Sequence, residues 1–172
     1  MNEFCNLAQV NKTEPQNHVG YGLVKNAVKD KLLKAKHLFW ISLSQEFQPF
    51  LTRYQADRPL LPFLSPDLEC LLRVVMGKFV KESVMANAAS YLKLADVDIA
   101  DPKNLKSGKS LDIGLATRRE LTRLSKDGKV SPWEELEFET QCKLFLTRAT
   151  EKILEKCPLK HRIVRFLNGS IL

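Results

Sequence analysis

Apolar positions recur three and four residues apart along most of this chain, which is the spacing of one helix face. From Leu23, the residues Val24, Val28, Leu32, Ala35 and Phe39 follow that spacing, with Lys25, Lys29 and Lys36 on other faces. The pattern predicts a helix over 23–40. A second run, Ile41–Tyr54, places Leu43, Phe47, Phe50, Leu51 and Tyr54 on one side. Pro49 lies inside it and is expected to kink or break it, since proline lacks a backbone donor and crowds the preceding turn. Residues 1–22 show no such period and read as a flexible leader.

ADRPLLPFLSPD follows, with Pro59, Pro62 and Pro66 within eight residues. It reads as a connector lying against a core through Leu60, Leu61, Phe63 and Leu64. Ser65-Pro66-Asp67 has the chemistry of a helix start: a capping hydroxyl, a proline where no donor is needed, and an acid at the positive end. A long central helix is predicted from there through CLLRVVMGKFVKESVMANAASYL. Its broad apolar face holds Leu68, Leu71, Leu72, Val75, Met76, Phe79, Val80 and Val84, and Gly77 marks a close helix crossing. KLADVDIADPKNLKSGKS reads as loop, with an extended piece where Leu94, Val97 and Ile99 alternate. A helix over 113–124 uses Ala116, Leu121 and Leu124 and ends at Asp127-Gly128. Ser131 to Glu134 fits a capping box. The last helix continues to about Lys156 on the stripe Phe138, Cys142, Phe145, Leu146, Ala149 and Ile153, and Pro158 stops it. The expected fold is all-α: an irregular bundle of four to five helices with a long Pro-rich connector and little or no strand. The helical domain spans 23–168, with 169–172 as a C-terminal tail.

Composition adds little to the class. The 172 residues are 44% hydrophobic and 27% charged, ordinary for one globular domain. No run reaches the roughly 18 uncharged apolar residues of a membrane span, and MNEFCNLAQVNK lacks the pattern of a secretory signal. Cys5, Cys70, Cys142 and Cys157 stand far apart with no CxxC, which favours reduced thiols and a nuclear or cytoplasmic setting. Charge changes the picture more. The net charge is +7 and it is zoned. Eight Lys/Arg face three acids between Lys103 and Lys129, and the tail from Lys156 to Arg165 carries four Lys/Arg and no acid.

Candidate chemistry is sparse. No Gly-rich phosphate loop, GxSxG, HExxH or CxxC occurs. His18 falls in the leader and His37 on a helix beside Phe39 and Trp40. Cys157 and His161 would need two further ligands to hold a metal, and Pro158 disfavours the helix that would align them. Asp96, Asp98 and Asp101 of DVDIAD miss a calcium loop at positions five, six and twelve. Glu134, Glu135, Glu137 and Glu139 suit a helix N-terminus. No cofactor and no small-molecule substrate is expected, and neither is a membrane. The candidate nucleic-acid contacts are Arg118 and Arg119 with Lys160, Arg162 and Arg165 of the tail, where cations could meet phosphate; only Phe166 is interleaved as an aromatic. Solvated basic faces are the default reading of these residues.

Three stretches carry a resemblance: FLTRYQADRPLLPFLSPDLECLLRVVMGKFVK (50–81), KSLDIGLATRREL (109–121) and EKCPLKHRIVRFLNGSIL (155–172). Together, over about 24–168, they are similar to a block of transposon-derived animal proteins that resemble hAT-type DNA transposases. Those enzymes have a ribonuclease-H-like core with a large helical insertion, three metal-binding acids, an N-terminal zinc module and a C-terminal dimerisation region. The resemblance implies the helical insertion alone. No Asp or Glu here matches a catalytic position, and the family's Cys-x-x-His is not matched, because three residues separate Cys157 from His161. What it implies is a non-catalytic piece of a transposon-derived protein, with a scaffolding or DNA-backbone role. In that family RIVRFL would return toward the core, and here its apolar residues are expected to fold back on the helices. The alternative is a helical protein-interaction or self-association module that docks through the connector 59–64 and the tail.

Overall fold

The computed structural model describes residues 19–55, 57 and 60–156. Seven α-helices occur among them: α1 Val19–Val28, α2 Leu33–Tyr54, α3 Leu64–Phe79, α4 Glu82–Asn87, α5 Tyr91–Ala95, α6 Leu115–Lys126 and α7 Pro132–Lys156. Three 3-10 turns join them, at Leu61–Phe63, Pro102–Asn104 and Gly108–Ser110. Among the described residues there is no strand, only one antiparallel bridge between Val80 and Leu105. The fold is all-α, as the spacing predicts. The expected stop at Pro158, the Cys157–His161 pair, His18 and the RIVRFL segment lie outside the described residues.

The helix boundaries differ from the pattern in instructive places. Helical structure begins at Val19, inside the stretch read as leader. The first break falls at 29–32 rather than at Trp40. There the Asp30 carboxylate accepts the Leu32 N–H at 2.8 Å and the Lys36 ammonium, so a short acid outcompetes the helical ladder. α2 then runs unbroken through Pro49. Proline deprives the carbonyl four residues earlier of a donor, but Gln45 and Pro49 are both exposed, where water can serve that carbonyl. Ser65 does not cap α3. It is buried in the first turn, after a 3-10 turn that delivers the chain to Leu64. Pro66 still sits among the first four helical residues, which have no intrahelical acceptor for an N–H.

The single long central helix is corrected to three. α3 ends because Val80 is extended (φ −90°, ψ 144°) and the 104–112 segment takes its last carbonyls. The Lys106 N–H donates to the Phe79 carbonyl at 2.7 Å and the Asp112 N–H to that of Lys78 at 2.9 Å, while the Lys106 ammonium reaches the carbonyl of Gly77. Those are the orphan acceptors every helix C-terminus leaves. Gly77 makes no close crossing, since a Cβ there would meet nothing within 4 Å.

α3 is central, as its broad face requires. Leu68, Leu71, Leu72, Val75, Met76 and Phe79 are buried, and α2, α4, α5 and α7 all pack on it. α6 lies against α2 and α7. It presents Thr117, Glu120, Leu121 and Leu124 inward, whereas Ala116 is exposed. Gly128 (φ 65°) turns the chain after α6, and the predicted capping box opens α7: the Glu134 carboxylate accepts the Ser131 N–H at 2.8 Å, and the Glu134 N–H donates to the Ser131 hydroxyl at 3.2 Å. Contacts advance together from Lys31–Glu134 to Trp40–Phe145, so α2 and α7 run in the same direction.

Candidate basic surface

The 102–111 segment contains Lys103, Lys106 and Lys109 and no acid. Its backbone is pinned at both ends. Asp101 accepts the Lys103 N–H at 2.9 Å, and the Asn104 side chain donates to the Asp98 carbonyl at 2.9 Å. The Ser107 N–H donates to the Ser110 hydroxyl at 3.1 Å, which in turn donates to the Ser107 carbonyl at 2.6 Å. With the main chain held against the end of α3, Lys103 and Lys109 project as exposed cations. Facing this loop across a cleft of about 80 Å³ are Leu136, Glu139, Thr140 and Lys143 of α7. Lys81 joins from the end of α3, its N–H on the Asn104 carbonyl at 2.8 Å. Lys81, Lys103, Lys109 and Lys143 have no carboxylate partner among the described residues. Glu139, the acid in the cleft, is neutralised by Arg118.

The residues singled out on the sequence are not brought together. Arg118 turns inward: its guanidinium pairs with buried Glu139 and donates to the Leu111 carbonyl at 2.9 Å. Arg119, one residue and so about 100° further round the helix, is exposed with no ion pair among the described residues. Lys160, Arg162 and Arg165 lie outside the described residues. The contribution of Lys143 was missed. The acid-free run around Lys103 and Lys109 is visible in the sequence, but the long-range packing that sets α7 beside it is not.

Other charges are interior fasteners. Buried Lys78 on α3 meets Glu46 of α2 at 3.0 Å and Asp112 at 3.4 Å. Glu120 on α6 takes Arg123 at 2.6 Å and Lys34 of α2 at 3.2 Å. Arg123, with Lys34, holds the Glu120 carboxyl down to about 2. Burial pushes the Cys142 thiol up to about 12. Among the described residues no group of three or more His, Cys, Asp or Glu is placed to hold a metal ion, and Asp98 of DVDIAD spends its carboxylate on the N–H groups of Ala100 and Asp101.

A second feature lies between α2 and α3. Pro49, Phe50, Leu71 and Val74 line a groove of about 280 Å³ whose rim carries Arg53 and Asp67, 2.9 Å apart. Arg53 also stacks over Phe63 of the connector at 5.0 Å. Leu60 of that connector is buried while Leu61 and Phe63 are exposed. Tyr54 donates to Asp67 at 3.0 Å, and burial together with that carboxylate pushes its hydroxyl up to about 12. In comparisons with family models, curated proteins and solved structures, nothing matches this chain.

Proposed function

We propose that the chain is a non-catalytic helical scaffold that holds the phosphate backbone of nucleic acid on the surface formed by Lys81, Lys103, Lys109 and Lys143. The observation that carries this reading is the set of cations from three separate elements, without a carboxylate partner among the described residues, around an acid-free loop. Phosphate binding asks for positioned cations and little else. The reading keeps the role implied by the resemblance to the helical insertion of hAT-type transposases and moves the contact from Arg118 to the loop.

The test is the salt dependence of affinity for a labelled DNA duplex, followed by fluorescence anisotropy. Affinity should fall steeply with salt, and the slope of log K against log salt should flatten by roughly 0.9 per lysine in Lys103→Ala, Lys109→Ala and Lys143→Ala. A folded chain that fails to bind at about 50 mM salt overturns the proposal. Concentration-dependent self-association in its place would carry the protein-interaction alternative, to which the α2–α3 groove and Phe63 lend support.

A further inference from the structure

Trp133 stands out among the described residues. It is 72% exposed, more than any other large hydrophobic side chain described. It makes no ring contact with another aromatic among the described residues. The capping box beside it is completed by Ser131 and Glu134 without it. An indole left in water forfeits the stabilisation that burial would bring, so its position calls for something that covers it.

Its place on α7 says what that is. Leu136, Thr140 and Lys143 follow Trp133 at three, seven and ten residues, within about 80° of helix rotation. Those same three side chains, with Glu139 that Arg118 neutralises, form the α7 wall of the lysine cleft, opposite Lys106, Ser107 and Gly108. One strip about 15 Å long therefore carries an exposed indole at one end and, at the other, an ammonium with no carboxylate partner among the described residues, with the Lys103–Lys109 loop alongside. The nearby acids lie off this line. Glu134 pairs with Lys31 at 3.7 Å, and Glu137 sits about 40° round the helix on the side away from the cleft.

We infer that this surface takes single-stranded rather than duplex nucleic acid, with Trp133 stacking on an unpaired base while the lysines hold the flanking phosphates. The inference rests on the phosphate-binding reading above and adds the substrate class. An aromatic face can stack only on a base that has left its neighbours, and such stacking tolerates any sequence. In a duplex the base faces are already occupied, so only the lysines would act.

The test uses the full chain and two probes of one sequence, a labelled single strand and its duplex, at one salt concentration. Wild type should bind the single strand more tightly. Trp133→Ala should weaken single-strand binding by about fivefold or more and leave duplex binding unchanged, and Trp133→Phe should restore part of the loss. In a Trp40→Phe background, emission from Trp133 should be quenched as the single strand is added. Lys103→Ala with Lys109→Ala should weaken both probes. If Trp133→Ala weakens both probes equally or neither, or if the emission does not respond, the stacking inference is wrong while phosphate binding stands. If neither probe binds, both fail. Circular dichroism of each variant verifies that it is folded.

Discussion

At the scale of the residue, charge placement decides more than charge count. Arg118 and Arg119 are neighbours of one type, yet one neutralises buried Glu139 and the other faces solvent. A helix turns about 100° per residue, so adjacent side chains cannot share a role that depends on direction. Glu120 shows the consequence for stability. Its carboxyl is held near 2 instead of its ordinary 4.5, through Arg123 and Lys34. A carboxylate whose value is depressed by folding stabilises the native state fully above the unfolded value. That contribution is lost as pH falls from about 4.5 toward 2. The urea midpoint of wild type should therefore fall over that window more than that of Glu120→Gln, with the two curves converging at low pH. A constant offset between them from pH 7 to pH 2.5 would show that Glu120 titrates normally.

At the scale of the element, local capping chemistry was legible and tertiary capping was not. The Ser131–Glu134 box and the Asp127-Gly128 stop involve neighbours in sequence, and both are found where the residues place them. The Ser65 start fails because the chain approaches α3 through a 3-10 turn and buries that serine. α3 stops at Phe79 because residues roughly 30 positions later, Lys106 and Asp112, supply donors to its carbonyls, and no local signal announces this. Gly114 is a sharper case. Its φ is +86°, and a Cβ there would lie 2.6 Å from the Ser42 hydroxyl oxygen and 2.9 Å from the Ser42 Cβ. Gly114→Ala should destabilise by about 1–3 kcal/mol from backbone strain and more from that overlap. Ser42→Gly should recover only the overlap part. Thermal melts of the two single variants and the double variant separate the terms; full recovery would mean that the backbone angle costs nothing.

At the scale of the whole molecule, one apolar core joins α2, α3, α6 and α7, and ion pairs with one buried member each fasten the helices across it. Lys78 ties α3 to α2, Glu120 ties α6 to α2, and Arg118 ties α6 to α7. Removing the more exposed member of such a pair strands the buried one in a poorly hydrated site. Cys142 reports on this assembly. It is buried in the core with its thiol pushed up to about 12, whereas Cys70 is exposed on α3. Alkylation followed by peptide mass spectrometry should modify Cys70 in the native state and Cys142 only in step with global unfolding. Equal rates without denaturant would show that α7 opens locally. The sequence by itself determined the all-α class, the central place of α3 and the stripe of α7. Those follow from periodicity, and a helix must bury whichever face is apolar. Only the tertiary structure decided where the helices break, that Arg118 belongs to the interior, and that Lys143 lines one cleft with the 102–111 loop. Each of these depends on contacts between residues far apart in the chain, whose energies carry no local signature.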